Sequence, residues 1–303
     1  MKLLSAFLFS VLGLAGSAAA IAQPASTAPS EDRVMIEAGD VRLGATLYRP
    51  AGATGDLPAI VTGHGSAPTT RDDVGFYTHH ALAMGFAVLS FDKRGTGEST
   101  GTYERFTVAG SDRVFNQLAG DVAASVRWLA EQPGIDTGRI GLFGGSQAGW
   151  ILPLADFHLQ RDGGPEIAFI IIGEGTPLTA GAEQAQDEAL RESLDGRTDI
   201  RREDLVFADL AAAAHDGPTG YDPGPAHDAT DTPTLWIFGL RDDVIPVLPS
   251  LDELHTRIAA GQTHHSVEVL PFGDHNFTNR ATGQRYDIRA VIEPWLVSIG
   301  VLD

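Results

Sequence analysis

Three residues far apart in this chain have the types and the order needed to open a carbonyl group. Ser146 stands in Ile140-Gly141-Leu142-Phe143-Gly144-Gly145-Ser146-Gln147-Ala148-Gly149-Trp150, where an apolar run suited to a buried strand ends in two glycines and a serine. A helix-compatible segment follows at once, from Gln147 to about Leu159. Strand, tight turn with serine at the apex, then helix is the layout of a nucleophile elbow. The backbone at such an apex is strained, and strand and helix pass too closely for large neighbours. Gly144, Ala148 and Gly149 meet that demand, although the usual closing glycine of G-x-S-x-G is Ala148 here. A plain Gly-rich turn with Ser146 as a helix cap is the competing reading. A serine hydroxyl is a weak nucleophile until a base takes its proton, and the base needs an orienting acid. Gly239-Leu240-Arg241-Asp242-Asp243 supplies an acid just past one predicted strand, and Gly273-Asp274-His275 a histidine just past the next.

The elements around these residues alternate. Apolar runs at Ala59–Thr62, Phe86–Phe91, Ile140–Gly144, Ile167–Gly173, Thr234–Gly239 and Val267–Leu270 read as strands. Helical patterns fall at Tyr77–Met84, Leu118–Glu131, Ser250–Ala260 and Tyr286–Ile299. Short connections between them predict a mainly parallel sheet covered by helices, with the strand-end loops gathered on one edge. His64, Gly65, Ser66, Asp92, Ser146 and Glu174 then share that edge. A hairpin, Val34–Glu37 with Val41–Tyr48, turns at Ala38-Gly39-Asp40. The rhythm breaks over 176–225, where two charged amphipathic stretches (Thr179–Leu194 and Arg201–His215) and a turn-rich return predict a small helical lid.

Composition bounds the rest. With 303 residues, 43% of them hydrophobic, the chain can bury one large core. Lys2, an apolar Leu3–Leu14 and Ala20-Ile21-Ala22 read as a cleaved signal segment, 1–22, placing the mature chain outside the cytoplasm, secreted or periplasmic. Residues 23–33, rich in Pro, Ser and Thr, read as a flexible leader, and 34–303 as the folded domain. Cysteine is absent, so thiolate and disulfide chemistry are excluded. A formal charge of −19 argues against nucleic acid and anionic membrane surfaces as partners. The apolar segment is short for a membrane span, so no stable insertion is expected after cleavage. No phosphate cradle or cofactor motif is present, and the scattered histidines make no metal set.

Taken together, Gly63-His64-Gly65-Ser66, Asp92-Lys93-Arg94-Gly95-Thr96-Gly97-Glu98-Ser99, Gly144-Gly145-Ser146-Gln147-Ala148-Gly149, Gly239-Leu240-Arg241-Asp242 and Asp274-His275 resemble the α/β-hydrolase superfamily. The similarity runs over nearly the whole mature chain and lies near the secreted esterase branch, related to dienelactone hydrolases and prolyl-oligopeptidase catalytic domains. The resemblance implies an α/β-hydrolase fold, no cofactor and a small-molecule ester substrate. It implies Ser146 as nucleophile, His275 as general base and Asp242 as orienting acid, with Asp243 and Glu174 as rivals for the last role. It implies an oxyanion hole from the amides of Ser66 and Gln147, with His64 bracing the loop.

Asp92, Lys93 and Arg94 are expected to hold neighbouring loops, and Arg71, Asp72 and Asp73 to be solvated loop charges. Trp150 is expected in the core. The activity implied is cleavage of carboxylic esters through an acyl-enzyme. The alternatives are a peptidase or amidase of prolyl-oligopeptidase type, an acyl thioesterase or acyltransferase, and a non-catalytic binding protein on the same scaffold.

Overall fold

The structure, a computed structural model, describes residues 28–303. The expected signal segment 1–22 and residues 23–27 of the expected leader lie outside the described residues. The first strand, β1, runs Ser30–Ala38, so residues 30–33 are sheet rather than leader. The reason is pairing: Ser30, Glu31, Asp32 and Arg33 sit in register opposite Arg49, Tyr48, Leu47 and Thr46 of β2 (Val41–Arg49). Gly39, at φ +65°, makes the hairpin turn between them.

The chain then alternates. β3 (Leu57–Thr62), α1 (Gly75–Ala83), β4 (Ala87–Phe91), α2 (Ser111–Ala130), β5 (Ile135–Gly145), α3 (Ala148–Arg161) and β6 (Phe169–Gly173) form its first part. A helical insertion follows, with α4 (Ala180–Leu194), α5 (Arg202–Ala213) and the short α6 (Gly224–Ala229). β7 (Thr234–Gly239), α7 (Val247–Ala259), β8 (His265–Leu270) and α8 (Arg289–Ser298) complete it. The eight strands form one sheet in the order β1-β2-β4-β3-β5-β6-β7-β8. β2 runs antiparallel to both its neighbours, and every pairing from β4 to β8 is parallel.

Parallel strands covered on both faces read as continuous apolar runs, and successive side chains go to opposite sides. Val61 and Leu142 join the cluster beneath α2, α3 and α7, while their neighbours Ile60 and Phe143 join the one beneath α1 and α8. Two cores clamp the sheet, and the carboxyl ends of β3 to β8 are held in one plane at its edge.

The insertion has its own small core of Ala189, Leu190 and Ala208. Thr179 caps α4 by accepting from Ala182 N at 3.2 Å, and Asp204 caps α5 by accepting from Arg201 N at 2.9 Å. Trp150, buried in the core, donates from its indole to Leu178 O at 2.7 Å, and Asp209 of α5 accepts from Leu248 N at 3.1 Å. These bonds moor both ends of the helical pair over the strand ends. No described helix is long and apolar enough to cross a membrane.

Candidate active site

β5 ends at Gly145 and α3 starts at Ala148, so Ser146 occupies the turn between them. Its backbone is left-handed, φ +58°, a conformation that costs a non-glycine residue about 1–2 kcal/mol. The surroundings enforce it. Ser146 N donates to Gly173 O (3.0 Å) and Glu174 O (3.1 Å) of the adjacent strand end. A Cβ on Gly144 would lie 2.8 Å from Ala148 Cβ and 2.9 Å from Gly63 Cα. One on Gly145 would meet Tyr77 Oη at 2.1 Å and Gly173 O at 2.6 Å, and one on Gly149 Thr176 N at 3.0 Å. Ala148 itself is fully buried, so a methyl group is tolerated where the usual motif has glycine.

Asp242 and His275 meet across the next two strand ends. His275 Nδ1 lies 2.8 Å from Asp242 Oδ2, and Asp242 Oδ1 accepts from Val244 N (2.7 Å) and Ile245 N (3.2 Å). Asp242 therefore presents one aimed oxygen, and Nε2 is the imidazole nitrogen left for proton transfer. The loop carrying His275 is fixed by Asp274, whose Oδ1 accepts from Asn276 N and Thr278 N. Gly273 O accepts from Arg241 N at 2.8 Å, which ties the His275 loop to the Asp242 loop. Burial alone lowers an imidazole's pKa, yet the charge and hydrogen bond of Asp242 outweigh it, with Asp243 and Glu183 behind them. The imidazole of His275 is consequently raised above its ordinary value. Ser146 Oγ makes no hydrogen bond to His275 in this structure, a contact that substrate often tightens.

The rivals for the acid role sit elsewhere. Asp243 is half-buried, and the nearest cation is Arg280 at 4.0 Å. Glu174 is buried beside Asp242, and its Oε2 accepts from Gly239 N at 2.8 Å. Burial first, then the charge of Asp242, pushes the Glu174 carboxyl well above the usual range.

The loop after β3 packs against Ser146, since a Cβ on Gly65 would lie 3.7 Å from Ser146 Cβ. His64 Nε2 bonds Phe91 O at 2.7 Å, and burial, with the Lys93 charge second, pushes its pKa down to about 3. His64 is a neutral brace. The amides of Ser66 and Gln147 donate to no other group among the described residues, which leaves both for an oxyanion. Beside Ser66 opens a cavity of about 540 Å³ lined also by Tyr103, Phe106, Glu183, Asp243 and Val244, among others. Among the described residues no group of three or more His, Asp or Glu is placed to hold a metal ion.

Arg71 departs from expectation. It is buried, and its guanidinium bridges Asp92 (3.2 Å) and Glu98 rather than facing water. Asp92 also accepts from Arg71 N (2.9 Å) and Glu98 N (2.8 Å), while Arg94 grips Asp121 of α2 through two bonds. The turn after β4 is therefore a charged clamp. Tyr77, Tyr103 and Glu183 also border the site. Tyr103 and Glu183 had only a weak signal, their place after the Gly-rich turn and at the start of the insertion.

Comparison with known proteins gives the following. Residues 38–157, from the end of β1 to most of α3, match the family X-Pro dipeptidyl-peptidase (S15 family), a span that includes Ser146 but neither Asp242 nor His275. The chain is 27% identical over 221 residues to a probable dipeptidyl-aminopeptidase B of Fusarium vanettenii, covering 71% of this chain and 21% of that protein. It thus spans about a fifth of that curated relative's length. The structure is similar to that of the Pyrococcus furiosus esterase Pf2001, with a TM-score of 0.61 and 19% identity over 90% of this chain and 89% of that one. It is similar also to a putative dienelactone hydrolase from Klebsiella pneumoniae, with a TM-score of 0.60 and 15% identity over 90% and 98%.

Proposed function

We propose that the chain, which has the fold of the α/β-hydrolases and matches the S15 family over residues 38–157, is a secreted serine hydrolase that cleaves carboxylic esters. One observation carries the reading. Ser146 is held at a left-handed turn, the loop that carries Ser66 packs against it, the Ser66 and Gln147 amides have no other acceptor among the described residues, and the same edge holds a histidine whose Nδ1 is locked to a buried carboxylate.

In this mechanism Ser146 Oγ attacks the carbonyl carbon while His275 Nε2 takes its proton. Asp242 keeps the imidazole in the tautomer with hydrogen on Nδ1 and balances the imidazolium that forms. The carbonyl oxygen becomes an oxyanion between the Ser66 and Gln147 amides, a form of stabilisation worth about 3–4 kcal/mol per donor in serine hydrolases. His275 then protonates the leaving alcohol as the acyl-enzyme forms. Water repeats the sequence and releases the acid. The segment Met1–Ala22 supports export before any of this takes place.

Ester is chosen over amide because the structural neighbours matching this chain over nearly their full length are named as an esterase and a dienelactone hydrolase. The second reading is a peptidase, favoured by the S15 match and by the Fusarium relative, although four-fifths of that relative lie outside the match. Matched ester and amide substrates with one acyl group separate the two. We expect ester turnover with slow or absent amide turnover. Faster amide cleavage would select the peptidase, and failure of Ser146 to react with any serine-directed phosphonate would remove both.

A further inference from the structure

A buried lysine grips both halves of the oxyanion site. Lys93 lies two residues beyond β4 and is 2% exposed, yet no carboxylate pairs with it among the described residues. Its Nζ instead donates to Gly65 O (2.5 Å), Ala67 O (3.1 Å) and Gln147 Oε1 (2.9 Å). Three acceptors account for the three hydrogens of an ammonium group.

The identity of those acceptors matters more than their number. Gly65 O and Ser66 N–H belong to the same planar, trans peptide unit, so they point in opposite directions. An ammonium bound to the carbonyl fixes the plane of that unit and aims the amide away from itself. It also polarises the unit, because hydrogen bonds in a chain strengthen one another at low dielectric. The two peptide units that follow are pinned as well: Tyr103 Oη donates to Ser66 O, and Ala67 O accepts from Thr69 N (2.9 Å) as well as from Lys93. On the other side, the Gln147 side chain is anchored by the same Nζ, and its backbone supplies the second amide. The Tyr103 ring lies 5.7 Å from the ammonium and closes its outer side.

We propose that Lys93 is the positioning residue of the oxyanion hole, coupling the Ser66 and Gln147 amides through one ammonium group. The inference rests on the serine hydrolase reading above, and it assigns a role within that site to a residue that touches no reacting atom. A buried ammonium without a carboxylate is expensive, and burial pushes the pKa of Lys93 down to about 7. An apolar side chain would leave those three acceptors without their donor, and two of them belong to the residues or peptide units that carry the oxyanion amides.

The test is Lys93→Met in the full mature chain, with Gln147→Leu beside it. Gln147→Leu leaves the ammonium and both amides in place and removes only one tether. For Lys93→Met we expect kcat on a chromogenic ester to fall about 10- to 100-fold, less than the loss of a whole donor, with KM within about threefold. Phosphonate should still label one serine per chain, more slowly. For Gln147→Leu we expect a kcat loss of about 3- to 10-fold, again at nearly constant KM. Lys93→Arg, which keeps a charge, should recover part of the loss. Unchanged kcat in Lys93→Met would overturn the proposal, as would a loss carried by KM alone. Should Lys93→Met fail to fold, Gln147→Leu decides: a kcat loss at constant KM supports the coupling, and wild-type kinetics reject it. A wild-type protein that neither hydrolyses esters nor reacts with phosphonate sinks the hydrolase reading instead, which is a different result from an active wild type insensitive to Lys93.

Discussion

Replacing Asp242 by asparagine tests the acid at the level of a single atom. Asp242 Oδ1 accepts from two backbone amides, Val244 N at 2.7 Å and Ile245 N at 3.2 Å, and Oδ2 accepts from His275 Nδ1 at 2.8 Å. Asparagine has one acceptor oxygen and one donor NH2 to place in those two positions. Turning the oxygen towards His275 would aim the NH2 at two N–H groups in a fully buried site, leaving them unsatisfied at about 1–3 kcal/mol each. Turning it the other way keeps both backbone bonds. The second arrangement wins, and it puts an N–H donor against Nδ1. The imidazole must then carry its hydrogen on Nε2, the nitrogen that should take the proton of Ser146. The expected loss in kcat is about 10⁴-fold, the size seen when a serine hydrolase base is held in the wrong tautomer. That is about 5.5 kcal/mol of barrier from a change that leaves packing volume almost intact. Steady-state ester hydrolysis, with a melting curve to confirm folding, measures it. A loss below about tenfold, or a larger one from Asp243→Asn or Glu174→Gln, would refute the assignment.

Three further outcomes follow from the same geometry. Gly145→Ala should lower stability by about 1–3 kcal/mol through overpacking, because its Cβ would meet Tyr77 Oη at 2.1 Å and Gly173 O at 2.6 Å. Gly120→Ala in α2, where an added Cβ meets nothing within 4 Å, should raise stability by about 0.5–1 kcal/mol, and urea midpoints compare the two. His275 is raised above 6.5 and must be neutral to act as a base, so kcat/KM should fall as pH drops through a value above 6.5; Glu183→Gln should move that limb to lower pH. His265 lies at the start of β8, far along the sheet from the catalytic edge, and its Nδ1 accepts from Trp236 Nε1 at 3.4 Å. Burial, then the charges of His264 and Arg257, push its pKa to about 3. The unfolded chain therefore binds a proton that the folded chain refuses, and stability is full above pH 6.5 and falls as pH drops towards 3. Between pH 6.5 and pH 5 this one imidazole should remove about 1.6 kcal/mol, which His265→Gln should abolish in the pH dependence of the urea midpoint.

Much of this arrangement is legible in the chain because its marks are local. Ser146, Asp242 and His275 each stand just past an apolar run beside glycine, so punctuation and strand ends coincide. The order of alternating elements leads directly to a parallel sheet, and its edge follows from that topology. The first strand is less legible, since Ser30 to Arg33 are exposed and charged, and only pairing with Thr46–Arg49 makes them sheet. Arg71 is harder still, and so are the burial and the partners of Lys93, though not its role in holding neighbouring loops. A charged residue in a Gly-rich loop ordinarily faces water, and what buries these two are acceptors brought in from other loops. Asp92 is 21 residues from Arg71 in the chain, and Gln147 is 54 residues from Lys93. Nothing in local spacing encodes such meetings, and the contact of Tyr77 with Gly145 belongs to the same class.

The central claim is that Ser146 is the nucleophile of an ester hydrolase. Its most direct test is turnover of a chain-length series of chromogenic esters by the mature protein, beside folded Ser146→Ala. The account predicts hydrolysis by the wild type, with a preferred chain length set by the cavity in front of Ser66, and a loss in the variant of at least about 10³-fold. Comparable turnover by the two proteins, or none by the wild type across the series together with no phosphonate labelling, would contradict it.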